Sequence, residues 1–553
     1  MKIAIAQLNY QVGNLDFNSQ KIINTILTAK NQGVDLVIFS ELSICGYIPY
    51  DLLNYNFFID DCYKKLEEIK LQCTNIAAIV GLPTKNLKNT GKKLYNSAAF
   101  LYDGEIQKVI HKTLIPNFDI INEDKYFEEN QDFSIINFKN KKIALTIAED
   151  LWDEEKIHGF FENKIMFKNA PMEYLNKFNP DFIVNIAAQP FAYNQTDCKK
   201  DFIYKNAKKY SIPIININQV GANTELIYEG ASIVVDKTGN TIISSNRFKE
   251  DLKIFEFDEI TNTSQTNNHN RNSDDKYESI YSALILGIKD FFEKSNLKKA
   301  VVGLSGGLDS AVVVALLVNA LGKENVDVLL LPTKYSSQHS IDDSLEMVKR
   351  CGIKHHIVDI EELRKMYLKT MEKVFENTKE DITEENIQAR IRGSVLMAYS
   401  NKFGNILLNT SNKSEAAVGY STMYGDMNGA LAVIGDLYKS EVYELADYIN
   451  QNFNNMIPQN IIDKIPSAEL RPNQKDSDSL PDYEILDKIL FLYIEQNLSE
   501  EEIIKKGLPQ EIVHRIIRLV NSSEFKRFQM PPVLKISRKS FGDGRKMPLV
   551  GRF

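Results

Sequence analysis

The block Ser305-Gly306-Gly307-Leu308-Asp309-Ser310 is the most chemically specific stretch of this 553-residue chain. It follows the apolar run VVGL and opens a second one, AVVVALLVNAL. Glycines at such a point let the backbone turn sharply and come close to a ligand. The unpaired N–H groups at a helix start, together with the positive end of the helix dipole, then cradle a phosphate. No G-K-[ST] closes the block, so it is not a Walker loop. A plain glycine-containing turn is the competing reading, and it leaves the two serines and the aspartate without a reason. Two further residues of interest, Glu41 and Lys112, each stand just after an apolar run, VDLVIF and KVI respectively.

These residues need elements to hold them. The N-terminal half carries the strand-like runs KIAIAQL, VDLVIF, IAAIVGLP, SAAFLYD, KIALTIA, DFIVNIA, IPIININQV and ASIVVD, with amphipathic helical stretches between them, for example at 18–32 and 60–72. Strands alternating with helices predict an α/β architecture, and SAAFLYDGEIQKVI predicts an antiparallel pair within it. The C-terminal half begins with a helix. A strand at 300–304, the glycine turn, a helix at 310–321 and a strand at 326–331 follow, the pattern of a doubly wound parallel sheet. Between the halves, residues 261–275 read TNTSQTNNHNRNSDD, with nothing to bury. That composition marks a linker. The expected organisation is a domain over 1–258, a polar linker over 259–275 and a domain over 276–553.

Composition narrows the function classes. Hydrophobic residues make up 43% and charged residues 25%, the balance of an ordinary globular protein. The five cysteines are scattered without a C-x-x-C pair, which excludes a disulfide scaffold or a cysteine zinc site and favours a reducing compartment. The net charge of −8 argues against a general nucleic-acid or anionic-membrane binder. The first residues lack a leader-type apolar region, and the longest apolar stretch is too short to span a bilayer. A cytoplasmic location is expected.

The S-G-G-x-D-S pattern resembles the pyrophosphate loop of the ATP pyrophosphatases. Those enzymes split ATP into AMP and pyrophosphate while adenylating a substrate. Further blocks, LPTKYSSQHS from 331, EENIQARIRG from 384, LNTSNKSEAAVGYSTMYGD from 408 and IGDLYK from 434, closely resemble the synthetase domain of NAD synthetases. The pieces from Pro466 and Ser523 resemble the glutamine-dependent branch of that family. The resemblance implies an adenine-nucleotide α-hydrolase-like fold and a carboxylate activated with ATP and Mg²⁺. It assigns Gly303, Leu304, Ser305, Gly306, Gly307, Leu308, Asp309, Ser310 and Thr410 to ATP. Asn386, Arg392, Glu415 and Lys526 fall to deamido-NAD (nicotinic acid adenine dinucleotide), and Asp309 and Glu415 to the metal. Hard carboxylate oxygens suit Mg²⁺. Apart from Lys526, the cations of the tail (Arg527, Lys535, Arg538, Lys539, Arg545, Lys546) read as solvated surface. Residues 419–426, rich in tyrosine and glycine, suggest a lid.

The blocks around Glu41 (IFSELSICGYIPYDLL), Lys112 (IHKTLIPNFDIINEDKYFEE) and residues 143–152 (IALTIAEDLW) together resemble the nitrilase-type carbon–nitrogen hydrolases, with their α-β-β-α sandwich. The closest likeness is to the glutaminase half of glutamine-dependent NAD synthetases. Those enzymes use a Glu–Lys–Cys triad, in which the thiol attacks the amide, the glutamate moves its proton and the lysine stabilises the oxyanion. Glu41 and Lys112 match the first two members. The position of the cysteine is Ala148, so this chain is expected not to hydrolyse glutamine by the covalent route. The intact surroundings favour a deliberate Cys→Ala substitution over natural decay. By the same resemblance, Tyr47 and Phe118 line the mouth of the glutamine pocket, and Glu149 meets the polar end of the ligand. Gln189 and Gln195, at positions where the family tends to have a serine and a cation, are likewise assigned to glutamine binding, and Glu225 supports Lys112. Cys45 and Trp152 read as core.

The joint expectation is a two-site amidotransferase that releases ammonia at one site and amidates deamido-NAD to NAD at the other. In this chain the second site would accept free ammonia. The family uses a protected ammonia path and a homo-oligomer, with no nucleic-acid or membrane partner. Another ATP-pyrophosphatase amidotransferase and a glutamine-sensing pseudo-glutaminase are the alternatives.

Overall fold

The computed structural model describes residues 1–152, 169–261, 275–472 and 474–551, with the side chains of 196–199 left aside. It divides into two compact units, Met1–Asp274 and Asp275–Phe553. Most of the polar stretch expected as a linker lies outside the described residues.

The first unit stacks two six-stranded sheets. One runs in the order Asp251–Glu256, Lys2–Gln7, Leu36–Ile38, Ala77–Lys85, Leu94–Tyr102, Glu105–His111. The other runs Thr241–Ser244, Ile233–Val235, Ile214–Asn218, Phe182–Ala187, Lys141–Ile147, Ile136–Phe138. Side chains alternate along a strand, so each sheet has two apolar faces to cover. Ile3, Ile5, Ile38 and Ile79 meet Leu145, Ile147, Val184 and Ile215 between the sheets. The opposite faces are covered by helices: Leu15–Asn31 and Asn56–Lys70 on the first sheet, Pro171–Asn176 and Thr196–Tyr210 on the second. This is the α-β-β-α sandwich, and Cys45 and Trp152 are buried in its apolar layers. The predicted antiparallel hairpin is present, with Tyr102 opposite Glu105. The first helix starts at Leu15, three residues before the expected start, because the Asn14 side chain accepts from the Phe17 N–H and caps it there.

The second unit holds a four-stranded sheet in the order Lys354–Ile357, Val326–Leu330, Ala300–Gly303, Ile406–Leu407, with every pair parallel. The first strand in sequence lies inside the sheet, so strand order reverses beside it. Ligands bind outside the carboxyl ends of strands at such a switch point. The Ser305–Ser310 block leaves the Ala300–Gly303 strand at that place. Next comes the helix Leu308–Leu321, buried along most of its length. That helix begins two residues earlier than expected, since Leu308 and Asp309 already form its first turn. No described helix is long and apolar enough to cross a membrane.

Candidate active sites

In the first unit, strand ends deliver the residues that matter. Glu41 follows the Leu36–Ile38 strand, Lys112 follows Glu105–His111, and Ala148 follows Lys141–Ile147. The Lys112 ammonium is fully buried and touches three carboxylates: Glu149 Oε2 at 2.6 Å, Glu123 Oε1 at 2.8 Å and Glu41 Oε1 at 2.9 Å. Asn96 Nδ2 donates to Glu41 Oε1 at 2.7 Å and to Glu123 Oε2 at 3.2 Å. The Ala188 N–H donates to Glu41 Oε2 at 3.0 Å, and the Tyr47 hydroxyl donates to Glu123 Oε1 at 2.6 Å.

Burial is the largest influence on Glu41. It lifts the carboxyl up to about 8, against the pull of Lys112 and with help from Glu123 and Glu149. Burial would by itself discharge Lys112, but the three carboxylates hold its pKa well above the usual lysine value. A carboxyl titrating near neutrality beside a fixed ammonium is what a proton acceptor working next to an oxyanion donor requires. Ala148, which presents only a methyl group here, is buried and sits at φ +44°, in the left-handed region. Asp150 ties this turn to the loop after Lys112, accepting from the N–H groups of Leu114 (2.8 Å), Thr113 (2.9 Å) and Ile147 (3.0 Å).

The second unit has a cavity of about 320 Å³ at the carboxyl ends of its strands. Gly303, Leu304, Ser305, Gly307, Leu308 and Asp309 line one wall, and Thr410, Glu415 and Arg392 line others. Gly306 has φ +77°, and a Cβ there would stand 2.4 Å from the Ser340 carbonyl oxygen, so only glycine fits. Ser310 Oγ turns back onto the loop, donating to the Gly307 carbonyl at 3.0 Å. Asp309 pairs with the Lys439 ammonium and accepts from Asn412 Nδ2 at 3.1 Å, while Glu415 Oε1 lies 3.8 Å from the same ammonium. Burial, with Asp309 next in weight, pushes Glu415 up to about 8. Asp426, Glu469 and Asp476 also line the cavity, so its five carboxylates outnumber the three cations Arg392, Lys439 and Lys464. Among the described residues no group of three or more His, Cys, Asp or Glu gathers as a closed metal cage. Mg²⁺ does not require one, since it is bound through one or two carboxylates plus substrate phosphates.

Comparison with known proteins decides what these sites belong to. A family model for carbon-nitrogen hydrolases matches residues 2–159, and one for NAD synthase matches residues 280–531. The chain is 40% identical to the glutamine-dependent NAD(+) synthetase of Synechocystis sp., covering 100% of this chain and 99% of that one. It is 35% identical to the protein of that name from Aquifex aeolicus, covering 100% of both. The structure of the Acinetobacter baumannii glutamine-dependent NAD+ synthetase in complex with ADP matches with TM-score 0.75 at 34% identity, over 99% of this chain and 98% of that one. The chain belongs to the glutamine-dependent NAD synthetases. A synthetase of the same description from Cytophaga hutchinsonii, at 20% identity, shares the fold with TM-score 0.83 over 100% of this chain and 98% of that one.

The structure gives each of the expected site residues a definite place. Tyr47, expected at a pocket mouth, is buried with its hydroxyl on Glu123. Glu149 turns toward Lys112. Phe118 is half-buried, its ring 6.3 Å from that of Trp152. The Gln189 backbone is held by Asn218, and Gln195 precedes the helix Thr196–Tyr210. The carboxylates described on Lys112 are Glu41, Glu123 and Glu149, and Glu225 lies in the turn between the strands Val220–Asn223 and Leu226–Glu229. In the second unit, Asn386 accepts from Thr422 Oγ1 at 2.7 Å, and Lys526 donates to the Gly419 and Ser421 carbonyls at 2.7 Å each. Lys526 therefore pins residues 419–421, of which Tyr420 lines the cavity together with Gly425 and Asp426.

The expectation of a solvated tail is corrected for three of its cations, while Lys546 is exposed as expected. Arg527, Lys535 and Arg545 are buried. Arg527 bonds Glu524 and the carbonyls of Ala417 and Val520, while Lys535 donates to the carbonyls of Ser537 and Arg538. Backbone oxygens inside the fold supply the acceptors that water was expected to provide. Two residues escaped the sequence reading altogether. Glu123 stood in a quoted block without a role, and Lys439 ended the IGDLYK block in the same way.

Proposed function

We propose that the second unit amidates deamido-NAD to NAD with ATP, taking ammonia from solution, and that the first unit does not hydrolyse glutamine. The carboxylate oxygen of deamido-NAD attacks the α-phosphorus of ATP, and pyrophosphate leaves. Ammonia then attacks the acyl carbon of the acyl-adenylate, AMP leaves, and the added nitrogen gives up a proton. Ser305, Gly307 and Asp309, at a helix start, suit the pyrophosphate portion, with Thr410 beside the nucleotide and Lys439 offsetting its charge. Asn386, Arg392, Glu415 and Lys526 are assigned to the dinucleotide by the family pattern. Mg²⁺, held by Asp309 and Glu415 with phosphate oxygens completing its shell, would neutralise phosphate charge. The excess of carboxylates over cations around this cavity fits such an ion.

The observation that carries the split between the two sites is Ala148. A buried glutamate, a lysine and their partners are assembled around a residue with no nucleophile. Removing one member of a unit that acts together costs nearly the full effect. The test is NAD and AMP formation with ammonium against glutamine, run on this chain and on A148C. Ammonium is expected to support NAD formation in both, and glutamine only in A148C. NAD formed from glutamine by the unaltered chain would overturn the reading.

The retained Glu41–Lys112–Glu123–Glu149 cluster favours a second reading, in which the first unit still binds glutamine as a sensor. Calorimetry with glutamine on the intact chain decides it, and no heat at millimolar ligand removes it.

A further inference from the structure

The helix Lys439–Asn452 begins in an unusual way. Its N-cap position, Tyr438, offers no side-chain cap to the helix N–H groups. The first N–H groups of a helix lack partners within it and need them from elsewhere. Here they come from two other elements. The Lys439 N–H donates to Ser414 Oγ at 2.9 Å, and the Ser440 N–H donates to Asp487 Oδ2 at 2.9 Å. Ser414 Oγ in turn donates to Asp487 Oδ1. One buried carboxylate thus closes the start of this helix and holds the first turn of the helix Lys413–Val418.

Both helices present cavity residues from those same turns. Lys439 carries the ammonium that meets Asp309 and lies 3.8 Å from Glu415 Oε1. Glu415 stands one residue after Ser414. Asp487 belongs to the helix Tyr483–Leu490, and Tyr483, one turn before it on the same face, donates its hydroxyl to Asp476 Oδ2 at 3.0 Å in the cavity wall. The Lys439 ammonium stands 5.6 Å from the centre of the Tyr483 ring. The negative charge of Asp487 is also well placed against the positive end of the Lys439–Asn452 helix.

We propose that Asp487 is a positioning residue for the amidation site, setting Lys439 against Asp309 and Glu415 by clamping the starts of two helices. This rests on the reading of the second unit as the synthetase site. Asp487 does not line the cavity. Its effect passes through the backbone of Lys439 and Ser440 and through Ser414.

The test is a double-mutant cycle on the full chain, read in ammonium-dependent NAD formation. D487N keeps the shape and loses the charge and an acceptor. S414A removes one bond alone and serves as the milder variant should D487N fold poorly. Misplacing a catalytic group by about 1 Å can cost about 100-fold, so D487N is expected to lower kcat by about 10- to 100-fold. S414A should lower it less, and the KM for deamido-NAD should stay within about twofold. Residues that act as one unit show non-additive losses. The pair D487N/K439A is therefore expected to be no worse than K439A alone by more than about twofold. Multiplying losses, or a D487N kcat within about twofold of the unaltered chain, would overturn the proposal. Should the unaltered chain make no NAD from ammonium, the proposed function falls. The same cycle is then read in Mg-ATP affinity by calorimetry, with the same non-additivity expected and additive losses overturning it.

Discussion

Replacing Lys112 with methionine strips the only ammonium from a cluster in which Glu149, Glu123 and Glu41 stand 2.6, 2.8 and 2.9 Å from it. Methionine fills much of the same volume, so the cavity term is small and the electrostatic one dominates. Breaking a buried ion pair by removing one partner costs about 3–5 kcal/mol, because the other charge is left uncompensated. In a unit of this size, 1 kcal/mol shifts the melting temperature by about 2–4 °C, so the variant should melt about 10 °C lower near neutral pH. The sign of its pH dependence is fixed too. Without the ammonium, burial keeps protons on the Glu41 and Glu149 carboxyls in the folded state well above the unfolded value of about 4.3. Across that interval the folded state binds more protons than the unfolded one. Stability then falls as pH rises, by about 1.4 kcal/mol per pH unit for each such group. K112M should therefore lie closest to the unaltered chain near pH 5 and furthest from it near pH 8. Thermal unfolding of both chains from pH 5 to 9 measures this. A variant that melts with the unaltered chain at pH 8, or whose deficit is larger at pH 5, would refute the electrostatic account of the cluster.

Three further outcomes are expected. In A148C, glutamine hydrolysis should rise about fivefold from pH 7 to pH 8 and level off above 9, because Glu41, lifted up to about 8, accepts a proton only when ionised. A glutaminase profile flat across that interval would remove Glu41 from the role. G306A places a methyl 2.4 Å from the Ser340 carbonyl oxygen at φ +77°, so the loop must move. With a shift of about 1 Å costing about 100-fold, kcat/KM for ATP should fall by that order, while strain of about 1–2 kcal/mol should lower the melting temperature by only a few degrees. R527M leaves Glu524, among the described residues, with Arg545 at 3.3 Å as its remaining cation, and the lost buried pair should lower stability to urea by about 3 kcal/mol.

What could be read from the sequence follows from how local each determinant is. Glu41, Lys112 and Ala148 each stand directly after an apolar strand run, so pattern alone puts them at strand ends, where α/β architectures collect their sites. The Ser305–Ser310 block is legible for a related reason. A positive φ at Gly306 and the helix start after it lie within six residues. Glu123 was not legible. It sits in the polar stretch NEDKYFEE, where no periodicity marks burial, and only the fold brings it under Lys112. Lys439 and Asp487 are distant from Asp309 in sequence, and the contacts that give them meaning join separate helices. Arg527 and Lys535 misled for the opposite reason. A run of cations reads as a wet surface, yet carbonyl oxygens buried inside the unit satisfy them.

The same electrostatics bear on the meaning of Ala148. Intact neighbours around a missing nucleophile suggest a recent or deliberate change only if those neighbours are otherwise free to drift. In this cluster they are not. Loss of Lys112 strands three buried carboxylates, and loss of Glu123 removes an acceptor from Lys112, Tyr47 and Asn96 at once. Each such step costs several kcal/mol of fold stability whether or not the site turns over. Cutting a cysteine side chain back to the methyl group of alanine leaves no buried charge unpaired and removes only a weak hydrogen-bonding group. The nucleophile is therefore the member this fold releases most cheaply. Stability alone would then hold Glu41, Lys112, Glu123 and Glu149 in place around it.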